Sequence, residues 1–128
     1  MLSFPSGDWI DAAATALSGD HQFARTSRAF EATILFDFGD AAYALTVDNS
    51  DVVAVANDPD FVSWDFAVRA PESTWQKLLS ETPPPRHHDL LAAWLGGDAT
   101  VEGDLETAIQ HLRPLERMIG VFREVADE

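Results

Sequence analysis

The chain has 128 residues, with 22 acidic against eight basic side chains and a formal net charge of -14. That length suits one domain, residues 1–128, able to bury roughly two-thirds of the surface its unfolded form exposes. The charge argues against nucleic-acid backbones and anionic membrane surfaces as partners, the lack of cysteine removes disulfides, thiolate chemistry and cysteine zinc sites, and no apolar run approaches the ~20 residues of a membrane span.

The opening residues, MLSFPSGDW, lack the basic start and long apolar core of a signal peptide, so a cytoplasmic protein is expected. Asp8 is the expected cap of a first helix, on which Trp9, Ala13, Ala16 and Leu17 share a face. Gly19-Asp20 ends it and begins a short second helix, His21 to Arg28. The period then changes from 3.6 to 2. Phe30, Ala32, Ile34, Phe36 and Phe38 alternate with more polar positions, and after Gly39-Asp40 a second alternating run carries Tyr43, Leu45 and Val47. These two runs predict an antiparallel hairpin.

Asp48-Asn49-Ser50-Asp51 is turn chemistry, and a third strand is expected over 52–56. Asn57 to Asp60 turns the chain again. A fourth strand, 61–68, places Val62, Trp64, Phe66 and Val68 on one side, so four strands in a meander are predicted. Pro71 opens a helix at its first position, where a missing donor costs nothing, and Trp75, Leu78 and Leu79 form its apolar side. After Pro83-Pro84-Pro85 comes a helix from His88-Asp89 to Leu95, ended by Gly96-Gly97.

The last stretch, GDATVEGDLETAIQHLRPLERMIGVFR, holds the strongest helical pattern. Ala99 to Val101 reads as a strand, Gly103 as a tight turn and Asp104 as an N-cap. Leu105, Ala108, Ile109, Leu112, Leu115, Ile119 and Phe122 recur at three- and four-residue steps and define one face. Pro114 predicts a kink near Leu112. The element order defines an α+β fold: a single, roughly five-stranded and mostly antiparallel sheet covered on one face by helices.

Four tryptophans and eight phenylalanines supply more apolar bulk than one sheet face and one helix obviously consume. In order along the chain, YALTV, FAVRAPESTWQKLLS, HDLLAAWL and ATVEGDLETAIQHL resemble the sterol carrier protein type 2 family, from about Trp9 to Phe122. Phe66-Ala67-Val68, Trp75 and Gly103-Asp104 stand where that family has its crossover strand, helix tryptophan and pre-helix Gly-Asp. The resemblance implies an apolar tunnel between sheet and helices for a fatty acyl chain, acyl-CoA or sterol-like lipid, and carriage without chemistry. The chain departs from the peroxisomal carriers in its acidity and in ending VADE rather than in a Ser-Lys-Leu-type signal.

The residues expected to line such a tunnel are Phe36, Phe38, Trp64, Phe66, Trp75, Leu79, Trp94, Leu112, Ile119 and Phe122; each could equally be ordinary core. Arg69 and Asp65 alternate on the opposite strand face and read as an ion pair, or, with Arg69 at a tunnel mouth, as a hold for a carboxylate or phosphate. His87-His88-Asp89 reads as helix capping rather than a metal site, because adjacent side chains point apart. His111 reads as an exposed helical residue. No nucleophile elbow, phosphate loop, His-Glu-x-x-His or dinucleotide fingerprint is present, and no cofactor, metal or catalytic residue is expected. Two other readings stay open. One is a small enzyme in the same cavity with His88, Asp89 and Arg69 at its rim. The other is a module that forms a homodimer or docks on a partner enzyme through exposed Trp94 and Phe122.

Overall fold

The strand β1 (Glu31–Asp37), which carries Ile34, Leu35 and Phe36 in succession, lies in the middle of a five-stranded sheet of order β3-β2-β1-β4-β5. In the computed structural model, which describes residues 4–28, 30–57, 62–80, 82–84, 87 and 89–126, β1 pairs antiparallel with β2 (Ala42–Asp48), which pairs antiparallel with β3 (Asp51–Ala56). The predicted hairpin is therefore formed, with Phe36 opposite Tyr43 and Ile34 opposite Leu45.

The predicted four-strand meander is not. β4 (Phe66–Arg69) skips β3 and pairs parallel with the free edge of β1, Ile34 beside Phe66 and Phe36 beside Val68. A strand with Ile34, Leu35 and Phe36 all buried cannot leave one edge of amides and carbonyls unpaired, so β1 takes a partner on each side. Asp65 sets the register: its amide donates to the Thr33 carbonyl at 2.8 Å, and its carboxylate accepts from the Thr33 amide at 2.7 Å. The strand expected over 61–68 is thus four residues long, Phe61 lies outside the described residues, and Trp64 precedes the strand. β5 (Thr100–Gly103) completes the sheet antiparallel to β4.

Helix α1 (Gly7–Ser18) is capped by Ser6, whose hydroxyl accepts from the Trp9 amide, and not by Asp8, which falls inside the first turn. It buries Trp9, Ile10, Ala13, Ala14 and Leu17, while Ala16 is exposed. Asp20 caps α2 (His21–Thr26) by accepting from Phe23 at 2.7 Å. Pro71 is the N-cap of α3 (Glu72–Leu78) rather than its first residue. Asp89 caps α4 (Leu90–Leu95), and its carboxylate accepts from Ala92 at 2.7 Å, as expected; His88 lies outside the described residues.

The C-terminal helix is broken, not merely bent. α5 (Leu105–Gln110), capped by Asp104, stops at His111, and α6 (Leu112–Ala126) starts afresh. Proline at position 114 has no amide to donate to the carbonyl of Gln110, so the helix cannot run through, but in the first turn of a new helix that donor is not missed. The break turns α5 away from the core, and Leu105 (42%) and Ile109 (55%) stand exposed although they share the periodic face. His111, expected exposed on a helix, lies in the break half-buried, with its ring stacked 4.6 Å from Phe30.

Polar side chains of α6 fasten three other helices to it. Glu116 accepts from the Leu90 and Leu91 amides at the start of α4, at 2.7 and 3.1 Å. Arg117 grips Asp20 at the start of α2 with two contacts of 2.8 and 2.6 Å. Arg123 donates twice to the Leu78 carbonyl at the end of α3. The Glu116 and Arg123 pins use backbone groups at helix ends that lack partners within their own helices.

Candidate ligand-binding core

Every second residue of the central strands faces the helices: Ala32, Ile34 and Phe36 on β1, Tyr43, Leu45 and Val47 on β2, Phe66 and Val68 on β4. Phe38, just beyond β1, continues that row. Against it α1 presents Trp9, α3 presents Trp75 and α6 presents Phe122, all fully buried. The rings meet edge to face, the arrangement that their quadrupoles favour. Phe38 is 4.7 Å from Trp75 and 5.4 Å from Trp9, and Phe122 is 5.1 Å from Phe36 and 5.5 Å from Trp9. Phe4 closes the cluster, 4.7 Å from Trp9 and 5.2 Å from Phe38.

Of the ten residues predicted from sequence to face a ligand, Phe36, Phe38, Phe66, Trp75, Leu79, Ile119 and Phe122 are buried in this one core, and Trp94 and Leu112 are half-buried against it. Trp64 is the one set apart. It lies beside Arg69, whose guanidinium carbon is 5.8 Å from its ring, and outside the core. Phe122, which the interaction-module reading required at the surface, is fully buried.

Trp9 and Phe4 belong to the cluster but not to the predicted set. Trp9 carries its most informative feature. Its indole Nε1 is buried with no hydrogen-bond partner among the described residues, whereas Trp75 Nε1 donates to the Asp37 carbonyl at 2.8 Å. A buried donor without an acceptor costs about 1–3 kcal/mol. Helical spacing places Trp9 on a buried face; it carries no sign of which atoms its indole would meet.

The polar groups suspected of chemistry are spread out. Arg69 spans three strands, donating to Asp37 at 3.0 Å and to Glu102 at 3.1 Å, so its charge is more than matched and Asp65 is not its partner. Its guanidinium pKa is raised: burial lowers it, and the two hydrogen-bonded carboxylates more than offset that. A surface cleft of about 520 Å³ lies between Arg69, Thr74, Asp98 and Thr100, with His87 paired to Asp98 at 3.2 Å. With Asp37 and Asp98 on its walls this cleft does not suit an anion. Asp89 is occupied with its capping bond.

A mixed sheet closed on one face by helices around such a core is the sterol carrier protein 2 fold. The crystal structure of a sterol carrier protein 2 matches with a TM-score of 0.82 and 17% identity, over 97% of this chain and 100% of that one. The solution structure of a conserved hypothetical protein from Thermus thermophilus matches at 0.78 and 17% identity, over 98% of this chain and 92% of that one. The sec-alkylsulfatase Pisa1 from Pseudomonas sp. matches at 0.52 and 22% identity, with 87% of this chain covering 15% of that enzyme. No family model matches the chain, and no curated protein does. Identities at this level carry the architecture and not an activity.

Proposed function

We propose that the protein binds and carries a hydrophobic ligand, a fatty acyl chain, acyl-CoA or sterol-like lipid, between the sheet and α1, α3 and α6, and performs no chemistry on it. The observation that carries this reading is the unpartnered Trp9 indole amid an otherwise apolar cluster. A ligand hydroxyl or carbonyl oxygen beside it would accept that hydrogen bond, while the surrounding rings cover the hydrocarbon. Each buried methylene contributes roughly 0.8 kcal/mol, so a short acyl segment is enough for micromolar affinity.

In the closed structure the rings occupy one another's space, so a ligand enters by moving them apart. The element suited to move is α3, a seven-residue helix held at its end by Arg123 and at its middle by the Trp75 bond to Asp37. The separation of Arg69, Asp89 and the aromatic cluster supports carriage over catalysis, since no polar groups of this set converge on the core. Among the described residues no helix is long and apolar enough to cross a membrane, which accords with a carrier.

The test is native mass spectrometry of the purified protein with organic extraction, followed by titration with fatty acid and sterol under tryptophan fluorescence. A co-purifying lipid that added fatty acid displaces is the expected result. Phe122→Leu should weaken binding about tenfold or more, and Trp64→Ala should leave it unchanged. Binding that depends on Trp64 and ignores Phe122 would sink the interior site.

A further inference from the structure

Eight basic residues against 22 acidic ones leave few places where this protein can receive an anion. Three of them gather at one end. Arg25, on α2, and Arg28, just after it, lie near the β2–β3 turn, and Arg113 lies at the start of α6, all exposed. Arg25 is shared by two grooves. One of about 480 Å³ runs between it and Arg113, and one of about 740 Å³ runs between it, Arg28, His21 and the turn. Past Arg113 a third groove, about 450 Å³, continues to Leu91 and Leu112.

What sets this cluster apart is how its charges are used. Arg69 and Arg117 each hold two carboxylates. Among the described residues no carboxylate pairs with Arg25, Arg28 or Arg113, in a chain that has carboxylates in excess. Like charges held together repel, and an anion between them relieves that. Of the acids around these grooves, Asp20 is held by Arg117 and Glu116 by the α4 amides, with burial raising the Glu116 carboxyl pKa and so opposing its charged form, while Asp48 and Asp51 flank the turn and stay exposed.

We infer that this groove binds the anionic head of the carried ligand, a phosphate ester or a carboxylate, with Arg25 and Arg113 as the two forks and Leu91 and Leu112 under the first carbons of the chain. Guanidinium forks match the paired oxygens of both anions. Leu112 is half-buried against the core, so the apolar end of this groove abuts the core. The inference rests on the carrier reading.

The experiment compares dodecyl phosphate with dodecanol by tryptophan fluorescence, for the protein and for the double variant Arg25→Gln/Arg113→Gln. The same chains are then probed with inorganic pyrophosphate by NMR of the arginine Nε–H signals. Dodecyl phosphate should bind at least about tenfold tighter than dodecanol, an advantage that the double variant and high salt both abolish while dodecanol is unaffected. Pyrophosphate should shift the Arg25 and Arg113 signals. Equal affinity for dodecyl phosphate in both proteins, with no pyrophosphate shift, would overturn the site. If neither alkyl ligand binds but pyrophosphate still shifts Arg25, the carrier reading falls and the anion site stands alone. Arginine-dependent retention on phosphatidylglycerol vesicles, without preference for dodecyl phosphate over dodecanol, would give the groove to a bilayer surface and overturn the head-group assignment.

Discussion

Trp9 and Trp75 are both fully buried in the same aromatic cluster, but among the described residues Trp75 has an acceptor for its indole proton and Trp9 has none. Replacing either by phenylalanine removes the same volume, so comparing the two isolates the hydrogen bond. Trp75→Phe should therefore destabilise the protein by about 1–2 kcal/mol more than Trp9→Phe, read from urea midpoints at constant slope. Equal losses would mean that the Trp9 donor is satisfied in solution. The contrast also bears on function, because Trp9→Phe should weaken a hydroxylated or carbonyl-bearing ligand and spare a plain hydrocarbon. Neither the pairing of Trp75 nor the orphaning of Trp9 could be read from the chain. Helical spacing shows that a residue is buried, and it does not show which carbonyl comes within reach.

At the scale of elements, Gly103 decides how β4, β5 and α5 meet. Its φ of +93° lies in the left-handed region, and a Cβ there would stand 2.7 Å from the Asp65 carbonyl oxygen and 3.0 Å from the Trp64 ring. Gly103→Ala should cost about 2–4 kcal/mol, from backbone strain plus the forced retreat of β4. The check is a urea midpoint, together with faster amide exchange at Asp104, whose N–H donates to that same Asp65 carbonyl. A turn at Gly103 was evident from Gly-Asp before a periodic run. The close approach was not, because Asp65 and Trp64 reach it only through the antiparallel pairing of β5 with β4, which sets Gly103 opposite Phe66. The same holds for the broken C-terminal helix. Pro114 announces an interruption, but whether the chain bends or restarts depends on how α6 docks on α1, and that docking leaves Leu105 and Ile109 outside.

Across the whole molecule, the bond between Asp20 and Arg117 ties the start of the fold to its last helix. Asp20 is held below the ordinary carboxylate value of 3.8, chiefly by its hydrogen bonds to Arg117, with burial opposing. A depressed carboxyl stabilises the folded state above its unfolded pKa, and that contribution is lost as pH falls through the folded value. Arg117→Leu should thus lower stability by about 1–3 kcal/mol at neutral pH. The difference from the unaltered protein should close below about pH 3.8 as Asp20 takes up its proton. A gap that persists unchanged in acid would mean that Arg117 acts through packing alone.

Legible along the chain were the element types, their order, the β1–β2 hairpin, the caps at Asp89 and Asp104, and most of the apolar set that meets in the core. Those depend on local periodicity and on side chains reaching backbone a few residues away. The strand order, the exclusion of Trp64, the neutralisation of Arg69 by Asp37 and Glu102, and the grouping of Arg25, Arg28 and Arg113 with no carboxylate partner among the described residues came only with the folded chain. The physical reason is range. Burial patterns repeat along the chain at the period of a helix or strand, whereas pairing partners and fields arise between residues far apart in sequence, once the central strand has found a neighbour for each edge.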